Sequence, residues 1–154
     1  MSSLGSMKDN QVLLAFSTYA IIAILKMMLM SFLTSYFRMT RKAFANLEDT
    51  KLVVPTEDKK FVVANPDVER VRRCHQNDLE NVIPFVLVGL LYTLTGPDLS
   101  TALLHFRVFV GSRIFHTIAY IGCLPQPSRA LCFTVGVLVT FSMAWTVLST
   151  ALFS

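Results

Sequence analysis

ERVRRCHQNDLENVIPF, residues Glu69 to Phe85, places eight ionisable side chains in its first twelve positions and then passes directly into an apolar helical pattern. At about 100° per residue, Arg73, Asn77 and Glu80 fall within about 60° of one another on one stripe of such a helix, and Arg70 extends the stripe backwards. His75 and Asp78 point to other sides. A cation, an amide and a carboxylate therefore stand together at the head of a segment whose remainder suits lipid.

The rest of the chain agrees with a membrane setting. Of 154 residues, 53% are hydrophobic and only 16% charged, a balance far from that of an average soluble domain. Crossing a hydrocarbon core of about 30 Å takes about 20 apolar residues in a helix. Four stretches answer that description: about 12–37, broken only by Lys26; about 68–95, apolar from Asn77 onward; about 99–121, which carries His105, Arg107, Arg113 and His116; and about 129–153, uncharged beyond Arg129. The expected fold is an all-α integral membrane protein, a single domain over 1–154 built as a four-transmembrane-helix bundle. The first apolar run is too long for the core of a cleavable signal peptide, so it is read as retained.

The long connection, about 38–67, sets the orientation. Nine of the fourteen Lys and Arg lie between Arg38 and Arg73, whereas the turn around Gly96-Pro97-Asp98 has none. Positive residues favour the cytosolic side, which places this connection and the Pro125-Gln126-Pro127 link in the cytosol and both chain ends opposite. The formal charge of +4 is thus accounted for by topology, and a nucleic-acid role is not expected.

Cys74, Cys123 and Cys132 form no C-x-x-C pair and are read as free thiols near a reducing compartment. His105 and His116 share a helix face but sit about 16 Å apart along it, too far to hold one metal ion. No metal is expected.

A second polar stripe lies near the cytosolic end of the third helix, where Arg113, His116 and Tyr120 share a face. Ionisable groups at such depth are costly unless paired, so they face the bundle interior or a polar cavity. Arg129 opens the fourth helix close by. These groups can satisfy one another: Glu80 with Arg113, Asp78 with Arg72 or Arg73, and Lys26 with Asp78 or Glu80. Arg70, Arg73, Arg113 and Arg129 nevertheless outnumber the nearby carboxylates, leaving donors for an anionic ligand. Arg107 is read as an internal partner without a ligand role, and Trp145 as part of an interfacial belt.

Four segments, RKAFANLED (Arg41–Asp49), VERVRRCHQNDLENVIPF (Val68–Phe85), GPDLSTALLHFRVFVGSRIFHTIAY (Gly96–Tyr120) and LPQPSRA (Leu124–Ala130), resemble the family of membrane-associated proteins in eicosanoid and glutathione metabolism, MAPEG. The resemblance implies a homotrimer with glutathione held between neighbouring subunits near the cytosolic face. By that similarity Arg73, Asn77 and Glu80 hold the γ-glutamyl end, His116 and Tyr120 add contacts, Arg38 lies near the other carboxylate, Arg113 belongs to the bundle interior, and Arg129 is the catalytic residue nearest the thiol.

The pattern is most similar to the family's glutathione transferases. This implies conjugation of glutathione, as co-substrate, to hydrophobic electrophiles, with reduction of lipid hydroperoxides as a side activity. It also implies a detoxifying role in the endoplasmic reticulum (microsomal) membrane and the mitochondrial outer membrane, among membrane lipid. A glutathione-dependent prostaglandin E synthase and a non-catalytic lipid-binding adaptor are the alternatives the family offers. Asp49 fits the isomerase, but Ala130 stands where isomerase members carry a serine. Thr50 stands about where transferase members carry a cysteine, so activation by thiol modification there is not expected.

Overall fold

The computed structural model describes residues 10–153; the expectation for the extreme ends of the chain lies in part outside that range. Four long helices carry the fold: α1 (Gln11–Arg41), α2 (Pro66–Leu94), α3 (Leu99–Ile121) and α4 (Gln126–Phe153). Two short 3-10 turns, Glu48–Leu52 and Lys59–Phe61, interrupt the connection between α1 and α2. Among the described residues there is no strand.

Three of the four long helices start where the sequence supplies a cap. Asn10 accepts from the Leu13 amide at 3.0 Å, Asn65 from Asp67 and Val68, and Asp98 from Thr101 at 3.0 Å, so side-chain oxygens meet the first unpaired N–H groups. Pro66 opens α2, a position where the missing N–H costs nothing. At the other end of α1, Lys42 adopts the left-handed conformation (φ 49°), and its N–H bonds back to Arg38 and Met39. The helix therefore runs past the expected boundary at 37, and Arg38 sits on its last turn rather than in the connection. Likewise α4 begins at Gln126, before the expected start at 129, which puts Arg129 inside its first turn.

The expectation of four membrane-crossing helices is met in part. α1 and α4 are each long and apolar enough to cross a membrane by composition alone. α2 and α3 are not, because the charged head of α2 and the ionisable groups of α3 dilute their apolar runs. Large side chains such as Ile21, Leu25, Leu29 and Phe32 on α1, and Leu138, Phe141 and Trp145 on α4, point outward and exposed. So extended an apolar exterior suits lipid or a neighbouring copy rather than water.

Between helices the packing is aromatic and close. Phe85 of α2 and Phe109 of α3 stack with ring centres 3.7 Å apart, and Phe16, Phe106 and Tyr92 complete the cluster. Apolar burial supplies little driving force inside lipid, so van der Waals fit and polar contacts have to hold the helices together. Gly136 shows the fit: a methyl there would come within 3.2 Å of Ser112 Oγ and 3.5 Å of Arg113 Cδ, so its absence lets α4 lie close to α3 beside Arg113.

Candidate functional site

The polar contacts converge on one buried carboxylate. Asp78 of α2 is fully buried; its Oδ1 accepts from Lys26 Nζ of α1 at 2.6 Å and from Arg113 Nη2 of α3 at 2.9 Å, and its Oδ2 accepts from the same Lys26 Nζ at 2.5 Å. The side chain of Lys26 is 14% exposed and that of Arg113 1%. Three helices thus meet at a single oxygen, and two cations share one anion. Such a cluster is held by the severe cost of leaving any member unpaired.

Arg113 then reaches the neighbouring wall. The same Nη2 lies 2.6 Å from Asn77 Oδ1 and 3.2 Å from His116 Nδ1. A guanidinium can only donate, so both partners accept. Asn77 is thereby oriented with its NH2 turned away from Arg113, and the contact to His116 Nδ1 is the longest of the three that share the two Nη2 hydrogens. Arg113 Nε and Nη1 are buried without a partner.

Asn77 and His116 line a cleft of about 290 Å³ together with Tyr120, Gln126, Arg129 and Phe133. The Arg129 guanidinium carbon lies 4.9 Å from the centre of the Tyr120 ring, and the His116 and Tyr120 rings are 5.4 Å apart. Arg129 Nε is buried with no hydrogen-bond partner. Helices α2, α3 and α4 therefore present an amide, an imidazole, a phenol and a cation to one space. An anionic or polarisable group placed there would meet donors on three sides.

Of the residues singled out from the sequence, Asn77, His116, Tyr120 and Arg129 come together here, with Arg113 directly behind them. Arg38, Arg73 and Glu80 do not. Arg38 lines separate hollows with Phe44, Val68 and Glu69 on one side and Asp49 on the other, its Nε buried and unpaired. Arg73 is exposed on α2 and makes no ion pair among the described residues. Glu80 is exposed and accepts from Gln76 at 3.2 Å, not from Arg113. Arg72 pairs with Glu69 at 2.8 Å, so neither it nor Arg73 is the partner of Asp78.

Gln126 and Phe133 were not singled out, and the pattern offered little to find them. Gln126 follows from α4 beginning one turn early, and Phe133 lies one turn beyond Arg129 on the same helix. Arg107 is exposed rather than inside the bundle, and it donates to the Tyr19 hydroxyl at 2.9 Å, tying α3 to α1 at the surface.

With this geometry in hand, similarity to known proteins becomes informative. The MAPEG family pattern matches residues 16–149. Over 154 residues the chain is 56% identical to microsomal glutathione S-transferase 1 of Mus musculus and 55% identical to that of Homo sapiens, in each case covering 99% of both chains. It is 40% identical to prostaglandin E synthase of Equus caballus over 139 residues, 90% of this chain and 89% of the other.

Proposed function

This chain belongs to the MAPEG family, and from that premise we propose that it is a membrane-bound glutathione S-transferase, joining the glutathione thiolate to hydrophobic electrophiles. The observation that carries the reading is the cleft in which Arg129, with an unpaired buried Nε, faces Tyr120, His116 and Asn77 in a chain so similar to proteins named glutathione S-transferases.

The chemistry follows from what the tripeptide needs. Glutathione carries two carboxylates, which suit arginines, and an ammonium, which suits a carboxylate such as Glu80. Its thiol, with a reference pKa near 8.5, is mostly protonated at neutral pH, and only the thiolate attacks. Arg129 stabilises the thiolate as the proton leaves to solvent. The sulfur then bonds to the electrophilic carbon while the leaving group departs with the electron pair, giving the thioether. Lowering the thiol pKa by two units corresponds to about 2.7 kcal/mol of preference for the anion.

Arg73, Glu80 and Arg38 stand apart from the cleft within one chain, which supports a site completed by a neighbouring copy. In this reading three protomers assemble, all four long helices of each cross the membrane, and glutathione lies between subunits at the cytosolic face with its γ-glutamyl end on Arg73, Asn77 and Glu80. The word microsomal in the names of the relatives supports a microsomal membrane; the mitochondrial outer membrane, as a second location, rests on the family resemblance alone. Lipid hydroperoxides fit the same site: two glutathiones reduce the peroxide to an alcohol and water, forming one disulfide.

The kinship with prostaglandin E synthase favours a second activity, glutathione-dependent isomerisation of a prostaglandin endoperoxide. Asp49 stands in a hollow beside Arg38, as that reading requires, whereas Ala130 offers no hydroxyl next to Arg129.

The test is thiolate absorbance on titrating glutathione into the purified protein across pH, with Arg129→Ala in parallel. A thiol pKa lowered by the wild type and restored by the variant supports the transferase. Binding without ionisation removes its central step, and absence of binding leaves the non-catalytic adaptor. Conjugation without turnover of the endoperoxide removes the isomerase.

A further inference from the structure

Helix α1 contributes nothing to the lining of the cleft, whose walls come from α2, α3 and α4. It nevertheless sends Lys26 through the bundle to Asp78, the only acidic residue in contact with Arg113 among the described residues. Arg113 Nη2 is in turn the donor that orients both Asn77 and His116, the two cleft residues on the α2 and α3 walls nearest the bundle interior. The chain of contacts is unbroken: Lys26 to Asp78 at 2.6 Å, Asp78 to Arg113 at 2.9 Å, then 2.6 Å to Asn77 and 3.2 Å to His116.

We propose that Lys26 and Asp78 are positioning residues for the glutathione cleft, acting from outside it by fixing the Arg113 guanidinium that holds Asn77 and His116 in place. The proposal rests on the reading of that cleft as a glutathione site. Its physical basis is that Asp78 is shared: Lys26 Nζ occupies both carboxylate oxygens, while Arg113 reaches only Oδ1. With Lys26 present, that oxygen is pulled from the α1 side and from the α3 side at once, which leaves the guanidinium one position. Without Lys26 the carboxylate can follow Arg113, whose Nε and Nη1 have no partner to hold them, and the guanidinium becomes free to rotate toward a two-pronged contact with Asp78. Nη2 would then leave Asn77 and His116. Orientation at an intact cleft is worth substantial binding energy, because a misplaced wall is felt in every contact the ligand makes with it.

The experiment compares KM for glutathione, kcat and the thiol pKa of the bound peptide in wild type, Lys26→Met, Lys26→Arg and Lys26→Gln. The expected result is about a tenfold rise in KM for Lys26→Met, corresponding to about 1.4 kcal/mol, with the thiol pKa unchanged because Arg129 is not in the relay. Lys26→Arg restores KM, and Lys26→Gln, which keeps an N–H for Asp78 without the charge, falls between. Lys26→Gln is the variant read if Lys26→Met does not fold.

A core substitution remote from the relay, Phe106→Leu, is the control for lost stability and should leave KM alone. Coupling is read from a double-mutant cycle with Asn77→Ala, whose effect on KM should be less than additive with Lys26→Met. An unchanged KM in the neutral Lys26 variants, or strict additivity in the cycle, overturns the proposal. Wild-type protein that fails to bind glutathione would instead overturn the functional reading on which it rests.

Discussion

Arg129 lies over the face of Tyr120, with the guanidinium carbon 4.9 Å from the ring centre. A cation above an aromatic face is held by the ring quadrupole, worth about 0.5–2 kcal/mol depending on how dry the site is. The contact spans the link between α3 and α4, so the ring sets where the proposed thiolate partner stands. Replacing the ring by an aliphatic side chain, Tyr120→Leu, should therefore lower kcat/KM for conjugation by about 2- to 30-fold and weaken thiolate formation. Tyr120→Phe keeps the ring and should keep the thiol pKa. A Phe variant that raised the pKa as much as the Leu variant would transfer the effect from the ring to the hydroxyl.

The buried ion cluster allows stability to be ranked by charge. Removing Asp78 leaves Lys26 and Arg113 with no carboxylate between them, whereas removing Lys26 leaves Asp78 still paired with Arg113. An uncompensated buried charge costs about 3–5 kcal/mol, while deleting the surplus cation costs far less. Asp78→Asn should lower the thermal midpoint in detergent by much more than Lys26→Met and should broaden the elution profile on size exclusion. Equal midpoints for the two variants would mean that water reaches the cluster and screens it.

Much of this arrangement was legible from spacing alone, for a physical reason. Helical periodicity and the cost of burying charge act locally, so they place Arg113 with His116 and Tyr120 before any tertiary contact is known, whereas the stripe that joins Asn77 to Arg73 and Glu80 along α2 does not bring all three to the cleft. They also single out Lys26, alone in an apolar run, as needing a carboxylate. Which carboxylate it takes depends on how α1 lies against α2, and that depends on small residues and ring stacking whose geometry no periodicity encodes. Asp78 looked displaced from the polar stripe for the same reason: it serves the interior seam facing α1 and α3, while Glu80 on the stripe faces outward. Boundaries slipped at the end of α1 and at the start of α4. Lys42 in the left-handed conformation carries α1 past Arg38, and the start of α4 at Gln126 brings Gln126 to the cleft.

Gly89 tests the packing of α1 on α2. A Cβ at this position would run into the Phe16 ring, which is itself buried against Phe85 and Phe106 and has little room to turn. Gly89→Ala should therefore destabilise by about 1–3 kcal/mol through overpacking, although alanine is the better helix former in isolation. Shortening the ring in Phe16→Leu should recover part of that loss when combined with Gly89→Ala. The double variant melting below both singles would show that the two helices do not share this contact.

Asp98 caps α3 from outside the apolar segments and gives the chain an acid-sensitive element. The hydroxyl of Ser100 and then the Thr101 amide, at 3.0 Å, donate to its carboxylate and hold it below the ordinary value of 3.8. The sign follows from the charged form being the one bound in the folded state. The carboxylate is more acidic folded than unfolded, so its stabilising contribution is complete above about pH 4–5 and fades as pH falls through the lowered folded value. Asp98→Asn keeps a capping oxygen but cannot titrate. Wild type should exceed the variant in thermal midpoint at neutral pH, and the gap should close on acidification toward pH 3. A gap that stays constant down to that pH would show that the cap acts through geometry alone, with no contribution from charge at the positive end of the helix.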